Sequence, residues 1–464
     1  MARWDNEVVS TSTLIIGAGF SGLATAHFLM RRLGPEAHVT VLDSSPRVGG
    51  KINTVRLAGL PVDTGPDAFL SRAAELRELI DELGLNSDVI EPQPGGAYIW
   101  SRGKLRPIPD GASFGLPGRL GPLLRSRLLS PAGVARAGMD IVLPTSHRSQ
   151  DPSVADLVRP RFGSEVYDRL VEPLLGGVHA GDPARLSAKS TVPEIKAMAE
   201  GHRSLYLTMR SRRAKAPKPA GAPLVSIAGG MGVLVDALVK EISPQAVLAG
   251  TEVSGVERTG AGWCISTAGG RISAEELVLA VPAYAAADLL EPLAPELSSE
   301  LRGIPYVDVA NATLAFRAHD LPELPPGTGF LVPPVEDRFI VGCTWLTNKW
   351  PHLVNDDVVL IKSMVGRAGD RRWLTMSDEQ LIEAVRADLS GMLGIDAQPF
   401  ETFVQRWPKA IPQYVIGHAD RLETIDRQVA DIGRLHLTGA AYRGSGLAGC
   451  ATQAAAVADR ITRG

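Results

Sequence analysis

The first fifty residues place a glycine-rich turn between a strand and a helix, which restricts the fold more than any other feature. Residues 13–16 are an apolar, β-branched run that predicts a buried strand. Gly-Ala-Gly-Phe-Ser-Gly follows at residues 17–22, and residues 23–33 carry apolar side chains at helical spacing. Residues 39–42 predict a second strand, which ends at Asp43. This order of strand, glycine turn, helix and strand is typical of a dinucleotide-binding fold.

Each glycine of this turn has a separate expected role. Gly17 permits a tight turn, Gly19 lets the backbone approach a pyrophosphate, and Gly22 lets the helix pack closely on the strand. The helix N-terminus would supply free N–H groups and a positive dipole end to the phosphates. Asp43 lies 21 residues after Gly22, which suits a carboxylate that accepts hydrogen bonds from ribose hydroxyls.

Similar strand and helix segments recur in the middle and at the end of the chain. We therefore expect an α/β protein with a Rossmann-like domain that is a composite of several chain segments. This composite domain is predicted to comprise residues 1–95, 222–300 and 405–464. Residues 96–221 are predicted to form a mostly helical insertion or lid, and residues 301–404 an inserted α+β substrate-binding domain.

Two stretches of the insertion allow more than one interpretation. Residues 116–129 are rich in Leu and Arg, which fits either a packed helical segment with solvated arginines or a partly exposed lid. Residues 211–221 are basic and rich in proline, which predicts a mobile surface loop. A contact with a membrane surface or a partner at this loop is left open.

Composition excludes several classes of protein. With 45% apolar and 21% charged residues, the chain is an ordinary folded protein, and a net charge of −3 argues against nucleic-acid binding. Its three scattered cysteines fit no disulfide scaffold, zinc site or dithiol centre. No secretory signal or run long enough to span a membrane is apparent, so we expect a cytoplasmic enzyme.

The residues after Asp43 favour FAD over NAD. The segment Asp-Ser-Ser-Pro-Arg-Val-Gly-Gly at residues 43–50 resembles the flavoprotein amine-oxidase superfamily, in which an acid, a basic residue and paired glycines recur in this order. Val-Asp-Thr-Gly-Pro at residues 62–66 resembles the superfamily's next turn, which runs beside the flavin ring. Asp43 stands where the superfamily usually has Glu, and it still offers two acceptor oxygens.

A longer signature narrows the resemblance. The segment PLLGGVHAGDPARLSAKSTVP at residues 173–193 closely resembles the signature of oxygen-dependent protoporphyrinogen and coproporphyrinogen oxidases, and the chain looks most like their soluble bacterial coproporphyrinogen III oxidase branch. Further stretches resemble the same family in the same order, at residues 65–68, 227–234, 406–414 and 439–447.

This resemblance implies non-covalent FAD and a set of contacts that follow the cofactor from its phosphates to its ring. The implied contacts are Gly17, Ala18, Gly19, Phe20, Ser21 and Gly22 at the pyrophosphate, Asp43 and Ser44 at the adenosine ribose, Val253 at the adenine, Lys51, Gly65, Pro66, Asp67 and Ala68 towards the flavin, and Trp407, Ser445, Gly446 and Leu447 at the isoalloxazine.

The implied reaction removes hydrogens from a colourless porphyrinogen, with molecular oxygen as the acceptor and hydrogen peroxide as a product, as a step of haem biosynthesis. The flavin would supply the redox chemistry, and the protein would orient the substrate. His179, Arg185 and Tyr442 are polar candidates that fit a structural role better, so no catalytic side chain is assigned.

Several alternatives stay open at the level of sequence. Protoporphyrinogen IX is the alternative substrate to coproporphyrinogen III. We favour coproporphyrinogen III because the resemblance to the soluble bacterial branch implies it, and its four propionates also suit arginine side chains, of which the chain has 38. An amine oxidase of the superfamily and a non-catalytic flavin-binding module are more distant alternatives. A peripheral membrane contact and a transient contact with the next haem-pathway enzyme are also left open.

Overall fold

The computed structural model describes residues 9–34, 37–112, 115–143, 149–215, 221–260 and 262–463. Its strands, numbered β1 to β19 in chain order, are Val9–Ile16, Val39–Asp43, Thr54–Leu57, Leu60–Asp63, Phe69–Leu70, Val89–Ile90, Tyr98–Ser101, Lys104–Pro107, Leu224–Ile227, Val247–Ala249, Val253–Arg258, Trp263–Thr267, Gly270–Leu279, Tyr306–Arg317, Gly329–Leu331, Ile340–Trp345, Val358–Val365, Glu401–Pro412 and Leu435–Leu437.

The α-helices connect and cover these strands. Numbered α1 to α17 in chain order, they are Phe20–Leu33, Ala74–Glu82, Leu120–Ser126, Pro131–Gly138, Val154–Phe162, Ser164–Val166, Glu172–His179, Ala188–Thr191, Pro193–Gly201, Leu205–Lys215, Gly232–Ile242, Ala283–Leu290, Pro295–Arg302, Leu346–Lys349, Asp378–Leu393, His418–Ile432 and Leu447–Arg463. A π-helical turn, Tyr167–Val171, joins α6 to α7.

The first large sheet is the predicted nucleotide-binding sheet. Its strand order is β10-β2-β1-β13-β12-β11, and β19 pairs with the part of β13 that β12 leaves free. Strands β10, β2, β1, β13 and β19 run parallel. In β1, Leu14 and Ile16 pack on one side of the sheet and Ile15 on the other, because successive side chains of a strand point to opposite faces. Both faces of this strand are therefore covered, as parallel sheets require.

Helices from distant parts of the chain cover the two faces of this sheet. On one face, α1 packs against α17 and α11, and their buried residues form one core with Ile15. On the other face, α12, α13 and α16 pack over Leu14 and Ile16. The composite character predicted from the sequence is thus present in the core, where the first and last helices of the described chain lie side by side.

The second large sheet has the order β18-β14-β17-β16-β15-β7-β8, and α15 packs on it. Its strands are antiparallel except for the pairing of β15 with β7. Strands β7 and β8 lie within residues 96–221, which the sequence predicted to be mostly helical. Strand β18 spans residue 405, where the sequence placed a domain boundary. Both differences arise because strand pairing joins segments far apart in the chain.

The remaining part of residues 96–221 is helical, from α3 to α10, with its own buried core. Leu116, Leu123, Leu128 and Leu129 are buried in this core, which favours the packed interpretation of residues 116–129 over an exposed lid. Of the predicted basic loop, residues 211–215 belong to α10, and residues 216–220 lie outside the described residues. The mixed α/β fold class predicted from the sequence is confirmed. No helix among the described residues is long and apolar enough to span a membrane.

A buried ion pair joins the helices of this layer. The guanidinium of Arg161 lies 3.4 Å from the carboxylate of Asp140, and both side chains are almost fully buried. Arg161 also donates to the carbonyl oxygens of Ala199 at 2.9 Å and Arg203 at 3.1 Å, while Asp140 accepts from the Ser204 hydroxyl at 2.8 Å. The partners described for each charge thus lie on other segments of the layer.

We predict that Arg161→Met destabilises the protein by about 3–5 kcal/mol, because it leaves the Asp140 carboxylate buried without its countercharge. Urea denaturation of the purified variants measures the loss. Arg302→Met is the matched control, since Arg302 forms a solvent-exposed ion pair with Glu291 and the loss of such a pair changes stability little. Equal losses in the two variants would contradict the assignment of a structural role to the buried pair.

Candidate functional site

The glycine turn after β1 is shaped by close backbone packing. Gly17 has a φ of +110° and donates its N–H to the Leu42 carbonyl at 2.7 Å. A Cβ on Gly17 would lie 2.8 Å from the Ala280 carbonyl oxygen, and a Cβ on Gly22 would overlap the Gly17 carbonyl oxygen. Gly17 and Gly22 are therefore required by the fold itself.

Gly19 differs from Gly17 and Gly22, because a side chain at this position would face open space. The nearest atom to a Cβ there is the Gly50 Cα at 3.9 Å. Gly19 caps α1 with no side-chain acceptor, and Phe20 and Ser21 follow in the first turn of that helix. Gly49 pairs with Gly19 and donates its N–H to the Ala18 carbonyl at 2.8 Å. Two glycine segments thus form an open cradle at a helix N-terminus, which fits a phosphate group.

Asp43 lies at the end of β2 beside this cradle. One carboxylate oxygen accepts the Ala18 N–H at 2.7 Å, and the other accepts the Ser45 N–H at 2.8 Å. Each oxygen keeps a second lone pair, so the carboxylate can still accept from a ribose. Ser44 next to it is exposed. The Thr251 N–H donates to the Asp43 carbonyl oxygen at 2.7 Å. Val253, the first residue of β11, follows two residues later and therefore lies near the end of β2.

The turn after β4 is the second part of the candidate site. A Cβ on Gly65 would overlap the Lys51 carbonyl oxygen, so these two segments touch through their backbones. The Thr64 carbonyl accepts two side-chain hydrogen bonds from the second sheet, from the Trp407 indole at 3.1 Å and the Asn311 amide at 2.7 Å. Trp407 was predicted, whereas Asn311 was missed because only the register of β14 with β18 brings it here.

Two charged residues of this region have shifted pKa values. Desolvation lowers the pKa of Lys51, although the nearby Cys450 thiol opposes this shift. Asp67 follows Pro66 and precedes Ala68, and its carboxylate is held by Lys349 and Lys362. Burial alone would raise the pKa of Asp67, but the two ammonium groups outweigh burial and hold it well below its usual range.

The glycine-rich turn before α17 is the third part of the candidate site. The Tyr414 hydroxyl donates to the Ala440 carbonyl at 2.6 Å and accepts the Gly444 N–H at 3.0 Å, which fixes both ends of the turn. Ser445 and Gly446 lead into Leu447, where α17 begins. A Cβ on Gly446 would meet nothing within 4 Å, so this helix N-terminus is open to a ligand.

The signature segment begins in α7, which packs on the second sheet. A Cβ on Gly177 would lie 3.0 Å from a methyl carbon of Leu331, whereas Val178 is 66% exposed. The Gln413 amide at the end of β18 donates to the His179 carbonyl at 2.8 Å. Tyr442, a polar candidate from the sequence, lies in the apolar core of the first sheet, which supports a structural role.

A row of residues crosses the second sheet between the Thr64 turn and α7. Asn311 pairs with Met364, Met364 with Gly342, and Gly342 with Leu331, so the side chains of Asn311, Met364 and Leu331 share one face, and Gly342, which has no side chain, lies between the last two. Asn311, Met364 and Leu331 are only half-buried. We call these four residues the cross-sheet row. No local sequence pattern predicts the cross-sheet row, because each of its residues comes from a different strand.

Comparison with known proteins assigns this arrangement to a class. The family profile described as flavin containing amine oxidoreductase matches residues 20–462. The chain therefore belongs to the flavin containing amine oxidoreductase family and is a flavin-dependent oxidoreductase.

Individual relatives carry the names of the oxidases that the signature segment resembles. The chain is 34% identical to the coproporphyrinogen III oxidase of Bacillus subtilis over 97% of both chains, and 32% identical to that of Staphylococcus aureus over 98% of this chain and 99% of the relative. A structure assigned to protoporphyrinogen oxidase from Exiguobacterium sp. 255-15 has a TM-score of 0.87 and 29% identity, and the match covers 98% of this chain and 100% of that one. The resemblance stated from the sequence is confirmed.

Glu172 at the start of α7 gives a pH-dependent prediction. It is 9% exposed, one of its carboxylate oxygens has no hydrogen-bond partner among the described residues, and burial raises its pKa to about 8 despite the nearby Arg367. The folded protein therefore holds this proton more tightly than the unfolded chain. The protonated Glu172 carboxyl group therefore contributes to the stability of the fold below about pH 4.5 to 5, and this contribution is lost as the pH rises towards 8.

We predict that the stability of Glu172→Gln relative to the wild type is higher at pH 9 than at pH 5, by about 1–3 kcal/mol in the free energy of unfolding. The reason is that the wild-type carboxyl group must ionise in a buried position at pH 9, whereas the amide cannot ionise. Denaturation of both proteins at the two pH values measures this difference. Exposed Glu194→Gln in α9 is the control and should change little at either pH. A Glu172→Gln effect that is independent of pH would contradict the assignment.

Proposed function

We propose that the protein oxidises coproporphyrinogen III to coproporphyrin III with FAD as cofactor and oxygen as acceptor, releasing hydrogen peroxide in haem biosynthesis. The observation that carries this proposal is the position of the signature segment. Helix α7 contacts Leu331 at one end of the cross-sheet row, and the Thr64 turn contacts Asn311 at the other end, so the row joins the part of the chain most characteristic of porphyrinogen oxidases to the part proposed to hold the flavin. We also propose a cytoplasmic location.

The cradle residues are proposed to bind FAD without a covalent bond. The pyrophosphate would lie over Gly19 and the N-terminus of α1, with the ribose at Asp43. The flavin ring would lie between the Thr64–Gly65 turn with Trp407 and the turn before α17. No cysteine occurs in residues 406–414, the segment that places Trp407 at the proposed flavin ring, so no thiol of this segment can form a covalent bond to the flavin.

Side chains and a helix N-terminus of this chain would then position the substrate and stabilise the negative charge of the reduced flavin. When bound, the flavin supplies the hydride acceptor, and oxygen regenerates its oxidised form. The open N-terminus of α17 directs its positive dipole end to the proposed ring edge, which stabilises negative charge that develops there. Asn311 and Trp407 hold the Thr64 carbonyl, so the turn is fixed before the substrate arrives. The half-buried cross-sheet row offers the porphyrinogen a largely apolar floor.

We predict that Gly19→Val abolishes flavin retention while the fold is kept. The structure has room for the added side chain, since no atom lies within 3.9 Å of its Cβ and the φ of Gly19 is −73°, but the side chain would occupy the phosphate cradle. Absorbance of the purified variant and of its acid supernatant measures flavin content, and FAD released from the wild type by acid supports non-covalent binding. Full flavin content in folded Gly19→Val would show that the cradle does not bind the cofactor.

Gly59→Val is a suitable control for this experiment. Gly59 lies in the exposed hairpin turn between β3 and β4, and no atom lies within 4 Å of its Cβ. Its φ of +77° makes the substitution strained, so a modest loss of stability is expected there. This control separates strain of the backbone from occlusion of the cradle, because only the variant at Gly19 should lose the flavin.

We predict a higher kcat/KM for coproporphyrinogen III than for protoporphyrinogen IX, by tenfold or more, in the same detergent-free buffer, with porphyrin fluorescence as the readout. One reason is chemical, since four propionates need more charged partners and tolerate more water than two propionates and two vinyl groups. The second candidate, protoporphyrinogen IX, is favoured by the name of the Exiguobacterium structure. A clear preference for it would reverse the choice of substrate, and oxidation of amines alone would overturn the proposal.

A further inference from the structure

A buried cluster of charges lies next to the Thr64 turn. The Lys349 ammonium is 3.0 Å from a carboxylate oxygen of Asp67, the Lys362 ammonium is 3.7 Å from the same oxygen, and the Trp350 indole N–H donates to it at 3.3 Å. Lys362 is 5% exposed and Trp350 is 2% exposed. We call these four residues the lysine cluster.

The cluster is tied to the backbone of the turn. Lys362 donates to the carbonyl oxygen of Asp63 at 3.1 Å, one residue before the Thr64 carbonyl that Asn311 and Trp407 hold. Lys362 lies two positions before Met364 on β17 and therefore shares its face of the sheet. Two consecutive carbonyl groups of the turn thus accept hydrogen bonds from one face of the second sheet.

The two ammonium groups of the cluster face the Asp67 carboxylate directly. A buried charge is costly unless it is paired and hydrogen-bonded, so each ammonium needs nearby acceptors. A further acid beside Lys362 is Asp63, whose carboxylate accepts hydrogen bonds from Thr54 at 2.5 Å and from the Met231 N–H at 2.9 Å. Burial raises the pKa of Asp63 to about 6, although the Lys362 ammonium opposes this shift, so above that pH Asp63 adds a second negative charge near the lysines.

We propose that Lys362 and Lys349 are positioning residues that fix the turn at residues 63–68 through Asp67 and the Asp63 carbonyl, and that the positive charge of each lysine stabilises the reduced, negatively charged flavin. This inference rests on the proposed position of the flavin beside the turn. Addition of a hydride to the neutral oxidised ring leaves one negative charge, and a buried cation nearby acts through a low dielectric. The cluster therefore favours reduction of the flavin by the substrate.

The test compares three charge variants of the holoenzyme by the reduction potential of the bound flavin, measured by spectroelectrochemistry. Lys362→Met and Lys349→Met each remove a cation and should shift the two-electron equilibrium about tenfold towards the oxidised flavin, which corresponds to ~30 mV. Asp67→Asn removes the anion and should shift the equilibrium in the opposite direction. Lys362→Arg should restore the wild-type equilibrium, and exposed Lys240→Met on α11 should leave it unchanged.

The opposite signs distinguish electrostatics from simple loss of structure, since a loosened turn would move all variants in one direction. Potentials that shift in the same direction for Lys362→Met and Asp67→Asn, or an unchanged potential in both lysine variants, would overturn the inference. Because Lys362 is the more buried lysine, Lys349→Met keeps the test decisive if Lys362→Met fails to fold. A holoenzyme that shows these shifts but oxidises no porphyrinogen would refute the proposed function and leave this inference standing, whereas a chain without flavin would overturn both.

Discussion

The arrangement of this molecule depends on the hydrogen bonds that converge on the Thr64 carbonyl. They join the turn that follows the first glycine segments to Asn311 and Trp407 on two adjacent strands of the second sheet. A backbone carbonyl is an obligatory acceptor, so its burial without these donors would be costly. The same contact sets the distance between the proposed cofactor cradle and the cross-sheet row. The proposed cofactor and substrate surfaces are thus held together by one backbone carbonyl of the turn and two side chains of the second sheet.

The parts of the site that the sequence predicted are those built from short, continuous segments. Gly17, Gly19 and Gly22 could be recognised because a tight turn, a phosphate and a helix contact each restrict one nearby position. The cofactor roles predicted for these glycines and for Asp43 stay proposals, although the structure gathers them around one cradle. The family is confirmed by the profile that matches residues 20–462 and by the relatives that are 32–34% identical over almost the whole chain.

The parts that the sequence missed depend on contacts between distant segments. Asn311 reaches Thr64 across 247 residues, and Lys349 reaches Asp67 across 282. Asp67 was placed with the cofactor contacts because of its neighbours in the chain, yet its carboxylate faces two lysines that no local pattern reveals. For the same reason the sequence analysis placed β7 and β8 in a helical region. Strand β7 pairs with β15, which lies more than two hundred residues later in the chain.

The contact between α1 and α17 has a consequence for how the protein is made. The proposed flavin site uses the start of α1 at the phosphates and the start of α17 at the ring, and the two helices pack side by side. More than 400 residues separate Phe20 from Leu447, so during synthesis on the ribosome the first segment emerges long before the second. If the flavin binds as proposed, its site is complete only once both segments have been made, so we expect uptake of the cofactor to be a late step in the maturation of the protein.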